Sequence, residues 1–232
     1  MKLKKTILFN KISISKSLSA EQIEKALNIG RYSDDKGIGF TSIETEENEL
    51  TLRILIKTPS AIKSYDNENG TFEERVIYIY SEVEVYWDVR SGLIYTTFPN
   101  KYFSKVKNLI SDILPKQIIL EDVEFQGVKF ISKLKEEGTY NVFITDLLIH
   151  NFVYQNEARG RFYAHTDDYK LGEELLNEYS SDIAKITLLL EPVKKQECDK
   201  FKMCISSRNS LHIETEENAF FKILSYLKHQ IQ

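Results

Sequence analysis

Four histidines are few for a chain of 232 residues, and two of them stand near carboxylates. His150 and His165 are accompanied by Asp146, Asp167 and Asp168, with Arg159 and Arg161 between them. An imidazole beside a carboxylate can act as a general base, because the carboxylate fixes the tautomer and steadies the protonated ring. The same residue types can hold a metal. The spacing, however, matches no ligand motif such as His-Glu-x-x-His, and 35 acidic residues bring some carboxylate near any histidine by chance. His150, His165, Asp146 and Asp167 therefore stand as weak catalytic candidates, with no metal and no cofactor expected.

A second pair of candidates is set by repetition. Arg90, Leu93, Thr97, Asn100 and Phe103 recur as Arg208, Leu211, Thr215, Asn218 and Phe221 at one ungapped offset. Tyr102 falls opposite Phe220, and Val106, Leu109 and Ile113 fall opposite Leu224, Leu227 and Ile231. Such self-similarity indicates an internal duplication. The two arginines could together grip a phosphate or carboxylate. Turn and cap chemistry explains the matched residues without invoking a ligand and is the favoured reading: Thr97 and Thr215 are expected to cap helices, with Asn100 and Asn218 in their first turns.

The third candidate is a surface. From Glu74 to Arg90 the chain alternates, interrupted on its apolar side by Ser81. Ile77, Ile79, Val83, Val85, Trp87 and Val89 form an expected core face, while Tyr78, Tyr80, Glu82, Glu84 and Tyr86 point the other way. Tyrosine offers rigid contact area with a polar tip, and carboxylates between the rings favour a basic or mixed protein partner over a phosphate backbone. Its alternative is an ordinary solvated sheet face.

Elements that must position these residues follow from period and punctuation. Thr6 to Ile14 is an expected strand, and Ser19 with Gln22 is placed for a capping box opening a helix that closes near Gly30. Strands 37–44, 49–58, 74–90 and 93–97 follow, with Pro59 closing one strand and 64–70 forming a loop. A helix then runs to Pro115. The second half reads as a strand at 117–125, a helix or strand at 126–137, and a hairpin of 140–154 with 158–165. An inserted helix follows from Asp168, with Leu171, Leu175, Leu176 and Tyr179 inward, then strands 183–190, 201–207 and 211–215, and a last helix from Glu216. The expected fold is α+β: an internally duplicated, curved antiparallel sheet with helices on one face. Residues 1–115 and 116–232 are its two pseudo-repeats, forming one compact unit. This element order resembles that of TATA-binding-protein-like folds, whose repeats run strand, helix, antiparallel strands, helix. The acidic strand face departs from a DNA-binding saddle, so the resemblance implies a topology and not a function.

Glycine-rich phosphate loops and a Gly-x-Ser-x-Gly elbow are absent, and Glu191-Pro-Val-Lys194 misses the spacing of a carboxylate–lysine nuclease core. Cys198 and Cys204 supply neither a disulfide framework nor a zinc quartet, and two free, at least partly buried thiols fit a reducing cytoplasm. The N-terminal apolar patch stops at Asn10-Lys11, short of a secretory core or a membrane span. A net charge of −4 creates no global pull on nucleic acid. Frequent Lys, Ile, Asn and Glu point to an AT-rich microbial genome. The expected function is a non-enzymatic interaction module, an assembly subunit that meets a protein partner through the tyrosine and glutamate face. Two alternatives remain: a nucleic-acid-binding saddle using Arg90 and Arg208, and a hydrolase or nuclease built around His150 and His165.

Overall fold

The structure, a computed structural model, describes residues 2–14, 18–115, 117–123, 125–154, 158–194, 199–206 and 209–231. Gln155–Glu157, Cys198 and Arg208, each assigned a place from sequence, lie outside the described residues. The protein is α+β, with eleven strands of an antiparallel sheet and five α-helices among the described residues. In chain order these are β1 (Lys2–Ile14), α1 (Ala20–Leu27), β2 (Ile38–Glu46), β3 (Glu49–Asp66), β4 (Thr71–Asp88), β5 (Leu93–Thr96) and α2 (Asn100–Ile113). Then come β6 (Ile118–Asp122), α3 (Gly127–Glu137), β7 (Tyr140–Tyr154), β8 (Ala158–His165), α4 (Tyr169–Glu178), β9 (Ile183–Pro192), β10 (Phe201–Ser206), β11 (Ser210–Glu216) and α5 (Phe220–Ile231). The chain divides into two compact units, Lys11–Glu121 and Met1–Asn10 with Asp122–Gln232. β1 thus gives residues to both.

In the Lys11–Glu121 unit, β2, β3, β4 and β5 pair antiparallel in that order. Their alternation buries Leu50, Leu52, Ile54, Ile56, Val83, Val85 and Trp87 completely or nearly so. α1 packs on this layer through Ala20, Ile23 and Leu27. It starts as the sequence requires: the Ser19 hydroxyl accepts the Gln22 N–H, and the Gln22 side chain accepts the Ser19 N–H at 2.9 Å. α2 does not start as expected. Its N-cap is Pro99, which has no side chain able to cap, and Thr97 takes no part. Thr96 is instead buried, donating to the Glu84 carbonyl and accepting from the Phe98 N–H. Likewise Thr215 is buried in β11 and a short 3-10 turn with Glu216 as its N-cap precedes α5.

β3 and β4 overturn the expected strand ends. Pro59 does not close β3, which runs on to Asp66, and the loop shrinks to the four residues between Asp66 and Thr71. Proline is tolerated there because past Lys57 the outer edge of β3 has no neighbouring strand among the described residues, so no ladder bond is lost. Past Ser81 the sheet also stops supporting β4. Ile77 and Ile79 share the face of Val83 and Val85, yet they are 42% and 48% exposed. The alternation holds but the burial does not, since a face is a core face only where another layer covers it.

In the other unit the strand order is β1-β11-β10-β9-β7-β8. The inward residues Ile144, Leu147, Ile186, Leu188, Met203, Ile205, Leu211 and Ile213 are nearly all fully buried. Helices cover that side: a methyl group at Gly172 of α4 would meet Ile144 at 3.0 Å, and one at Gly127 of α3 would meet Ile186. Residues 127–137 are therefore helix, resolving the choice left by sequence. In α4, Leu176 is buried but Leu171 is exposed, contrary to the expected apolar stripe.

Candidate functional site

Directly opposed residues in an antiparallel ladder share a face, so the register defines what the helix-free side of the Met1–Asn10/Asp122–Gln232 unit carries. One row crosses six strands: Thr6 pairs with His212, His212 with Cys204, Cys204 with Thr187, Thr187 with Asp146, and Asp146 with His165. Two small hydrogen-bonded groups anchor its ends. Thr6 Oγ1 lies 2.6 Å from His212 Nδ1. At the other end the Asp146 carboxylate accepts from the Tyr163 hydroxyl at 2.6 Å, from the Thr145 hydroxyl at 2.8 Å and from His165 Nδ1 at 2.7 Å.

These contacts set the charges. Burial on its own would raise the Asp146 carboxyl, but the hydrogen bonds from Tyr163, His165 and Thr145 outweigh it and hold the group below the usual aspartate range. The same bond from Asp146 lifts His165 above an ordinary histidine. His212 is pushed down by burial and by the nearby Lys185 ammonium. Burial raises the Cys204 thiol.

Geometry then limits the chemistry. His165 has a carboxylate on Nδ1 and an outward Nε2, 3.9 Å from Asp167 Oδ1, which is how an orienting acid and a base are arranged. Among the described residues no hydroxyl or thiol is hydrogen-bonded to His165. At about 4.8 Å per strand, Cys204 lies three strands and roughly 14 Å away. Cys204 is nearer His212, yet burial raises its thiol and so disfavours the thiolate. His150 is not brought to the group: it sits beside an irregularity in β7, where its N–H donates to the Asp182 carbonyl. Asp168 caps α4 by accepting the Lys170 N–H. Among the described residues no group of three or more His, Cys, Asp or Glu side chains could hold a metal.

The tyrosine and glutamate face of β4 divides in two. Near the sheet, Glu84 accepts from Tyr86 at 2.5 Å and from Arg53 at 3.2 Å, and Arg53 also reaches Glu44 at 3.0 Å. Tyr86 stacks on Tyr95. Burial raises both phenols strongly, so neither ionises near neutral pH. Glu84 and Tyr86 are thus occupied by their own unit, while Glu82 is exposed. Farther out, Tyr80 donates to Asp34 at 3.2 Å, Lys57 binds the same carboxylate at 2.6 Å, and the Lys57 ammonium lies 4.3 Å from the Tyr78 ring centre. Beyond that brace β3 and β4 continue as a two-stranded ribbon exposed on both faces. Phe72 is 72% exposed, Val76 61%, Tyr78 55% and Tyr80 51%.

Arg90 is exposed at the β4–β5 turn, whose backbone is fixed by Asp88 accepting the N–H groups of Arg90 and Ser91. Comparison with known proteins returns no matching family model and no matching curated relative. The row through Cys204 and His212 escaped the sequence reading, because only strand register brings residues so distant in sequence side by side. Among the described residues no helix is long and apolar enough to cross a membrane.

Proposed function

We propose that this protein is a non-enzymatic interaction module, an assembly subunit that meets a protein partner through the β3–β4 ribbon. The observation that carries the reading is the exposure of large apolar side chains on both faces of that ribbon. An isolated two-stranded hairpin is marginal in water, and exposed apolar patches of this size mark interaction sites. Tyr78 and Tyr80 belong to the contact surface, whereas Glu84 and Tyr86 support it from the sheet. Mixed charge on the ribbon and a net charge of −4 favour protein over nucleic acid.

Shortening the ribbon tests this. Residues 60–77 replaced by an Asn-Gly turn should leave secondary structure and the buried Trp87 environment unchanged, since none of the removed side chains belongs to the core. Association with protein, measured by affinity capture and by self-association, should be lost. If the shortened and full chains associate identically, the ribbon is not the contact element.

Catalysis at His165 is the second reading, favoured by the Asp146 bond to Nδ1. It requires activity toward a hydrolysable substrate that disappears in His165→Ala, and no activity in the intact chain ends it. We also read the two halves as copies. Element orders β1-α1-β2-β3-β4-β5-α2 and β6-α3-β7-β9-β10-β11-α5 correspond if β8 and α4 are an insertion. The pairing orders β2-β3-β4-β5 and β7-β9-β10-β11 support that correspondence and the TATA-binding-protein-like order.

A further inference from the structure

We infer that the ribbon's partner is a second copy of this chain, related by a two-fold axis running along the ribbon. The inference rests on the reading of the ribbon as a contact element and adds who binds it. Register places Tyr65 opposite Phe72, Lys63 opposite Glu74, Ala61 opposite Val76, Pro59 opposite Tyr78 and Lys57 opposite Tyr80, all on one face. A half-turn about the ribbon axis exchanges the two strands. Each residue of this face then lies over its own cross-strand neighbour from the other copy.

The consequences are complementary along the outer part of the ribbon. Lys63 meets the partner's Glu74, and Glu74 meets the partner's Lys63. Phe72 covers the partner's Tyr65 and Tyr78 covers the partner's Pro59, while Lys57 and Tyr80 stay on Asp34 of their own chain at the base of the contact. Neither Lys63 nor Glu74 makes an ion pair within 4 Å among the described residues, so both are available. A half-turn across the ribbon instead sets like strands over like and leaves Glu74 with no lysine opposite. Complementarity therefore selects the axis.

Area selects the class of contact. On the paired face Tyr65, Phe72, Val76, Tyr78 and Tyr80, at about 200 Å² each and roughly half exposed, present on the order of 500–600 Å². That lies at the upper end of the apolar patch of about 300–600 Å² found on typical monomers. It supplies the larger part of the 800 Å² or so that each partner contributes to a standard interface, and the ribbon's polar side chains add to it. A two-fold contact is isologous, so one such surface suffices for both copies.

Light scattering and sedimentation of the full chain test the assignment. The expected mass is twice 27.1 kDa. Lys63→Glu and Glu74→Lys should each raise the dimer dissociation constant by roughly a hundredfold, because each creates two like-charge appositions. Both positions are exposed, so the variants should fold. Mixing the two variants should restore a dimer containing one copy of each, a result that repair within a single ribbon cannot produce. A monomeric full chain, or single reversals that leave the dimer unchanged, overturns the inference. A monomer that still captures a different protein through the ribbon overturns the second copy alone and leaves the contact element standing.

Discussion

Three hydroxyl and imidazole groups converge on the carboxylate of Asp146, and the consequence is a coupled pair of titrations. His165 is held above its ordinary value of about 6.5 by that carboxylate. The stabilisation it contributes is fully present below pH 6.5 and is lost as pH rises through the raised folded value. Asp146 runs the other way: its contribution is present above about 3.8 and is lost as pH falls through its lowered folded value. Asp146→Asn should therefore return the His165 titration, followed by NMR, downward toward 6.5. An unchanged His165 midpoint would mean that the bond at 2.7 Å does not persist in solution. Of this site the sequence exposed only the ingredients. Asp146 and His165 were identifiable as residue types, but Tyr163, Thr145, Cys204 and His212 join them by register alone.

At the scale of elements, legibility depended on whether the deciding interaction was local. The Ser19 capping box, the hairpin β7–β8 and the N-cap Asp168 are governed by neighbours within a few residues, and each forms where the sequence places it. Pro59, Ile77 and Ile79 depart from the sequence expectation because their fate is set by which strands lie alongside, a property with no local signal. Gly92 shows the same limit from another side. It ends the β4 hairpin at φ +72°, and an added Cβ would lie 2.4 Å from the carbonyl oxygen of Ile12 in β1, which receives no warning of this from its own sequence. Gly92→Ala should destabilise the Lys11–Glu121 unit by about 2–4 kcal/mol, combining backbone strain with displacement of β1. Chemical denaturation followed by Trp87 emission reads it directly, since that single tryptophan is wholly buried in this unit. A change under about 0.5 kcal/mol would show that the turn yields at little cost.

For the molecule as a whole, association and stability become one measurement. A second copy that binds only the folded chain stabilises it by mass action. The apparent Tm should rise with protein concentration in the full-length chain, and should be independent of concentration once residues 60–77 are shortened. Identical slopes for the two proteins would separate stability from the ribbon. An α+β class with an antiparallel sheet was readable from alternation and helix caps across the chain. Division into units whose boundaries fall within β1 and at the end of β6 was not, because no composition shift or linker accompanies those positions.

The pairing of β1 with β11 also sets a schedule. Thr6 and His212 lie opposite each other although 206 residues separate them. At about 5–20 residues per second of synthesis, the first strand emerges roughly 10–40 s before its neighbour exists. During that interval Lys2 to Leu8 carry backbone groups with no β11 to receive them, a liability that a strand edge invites. Lysines at 2, 4 and 5 within this segment are the side chains that discourage edge-to-edge pairing. The last-made strand closes on the first, so the unit they share can complete its sheet only after translation has passed His212.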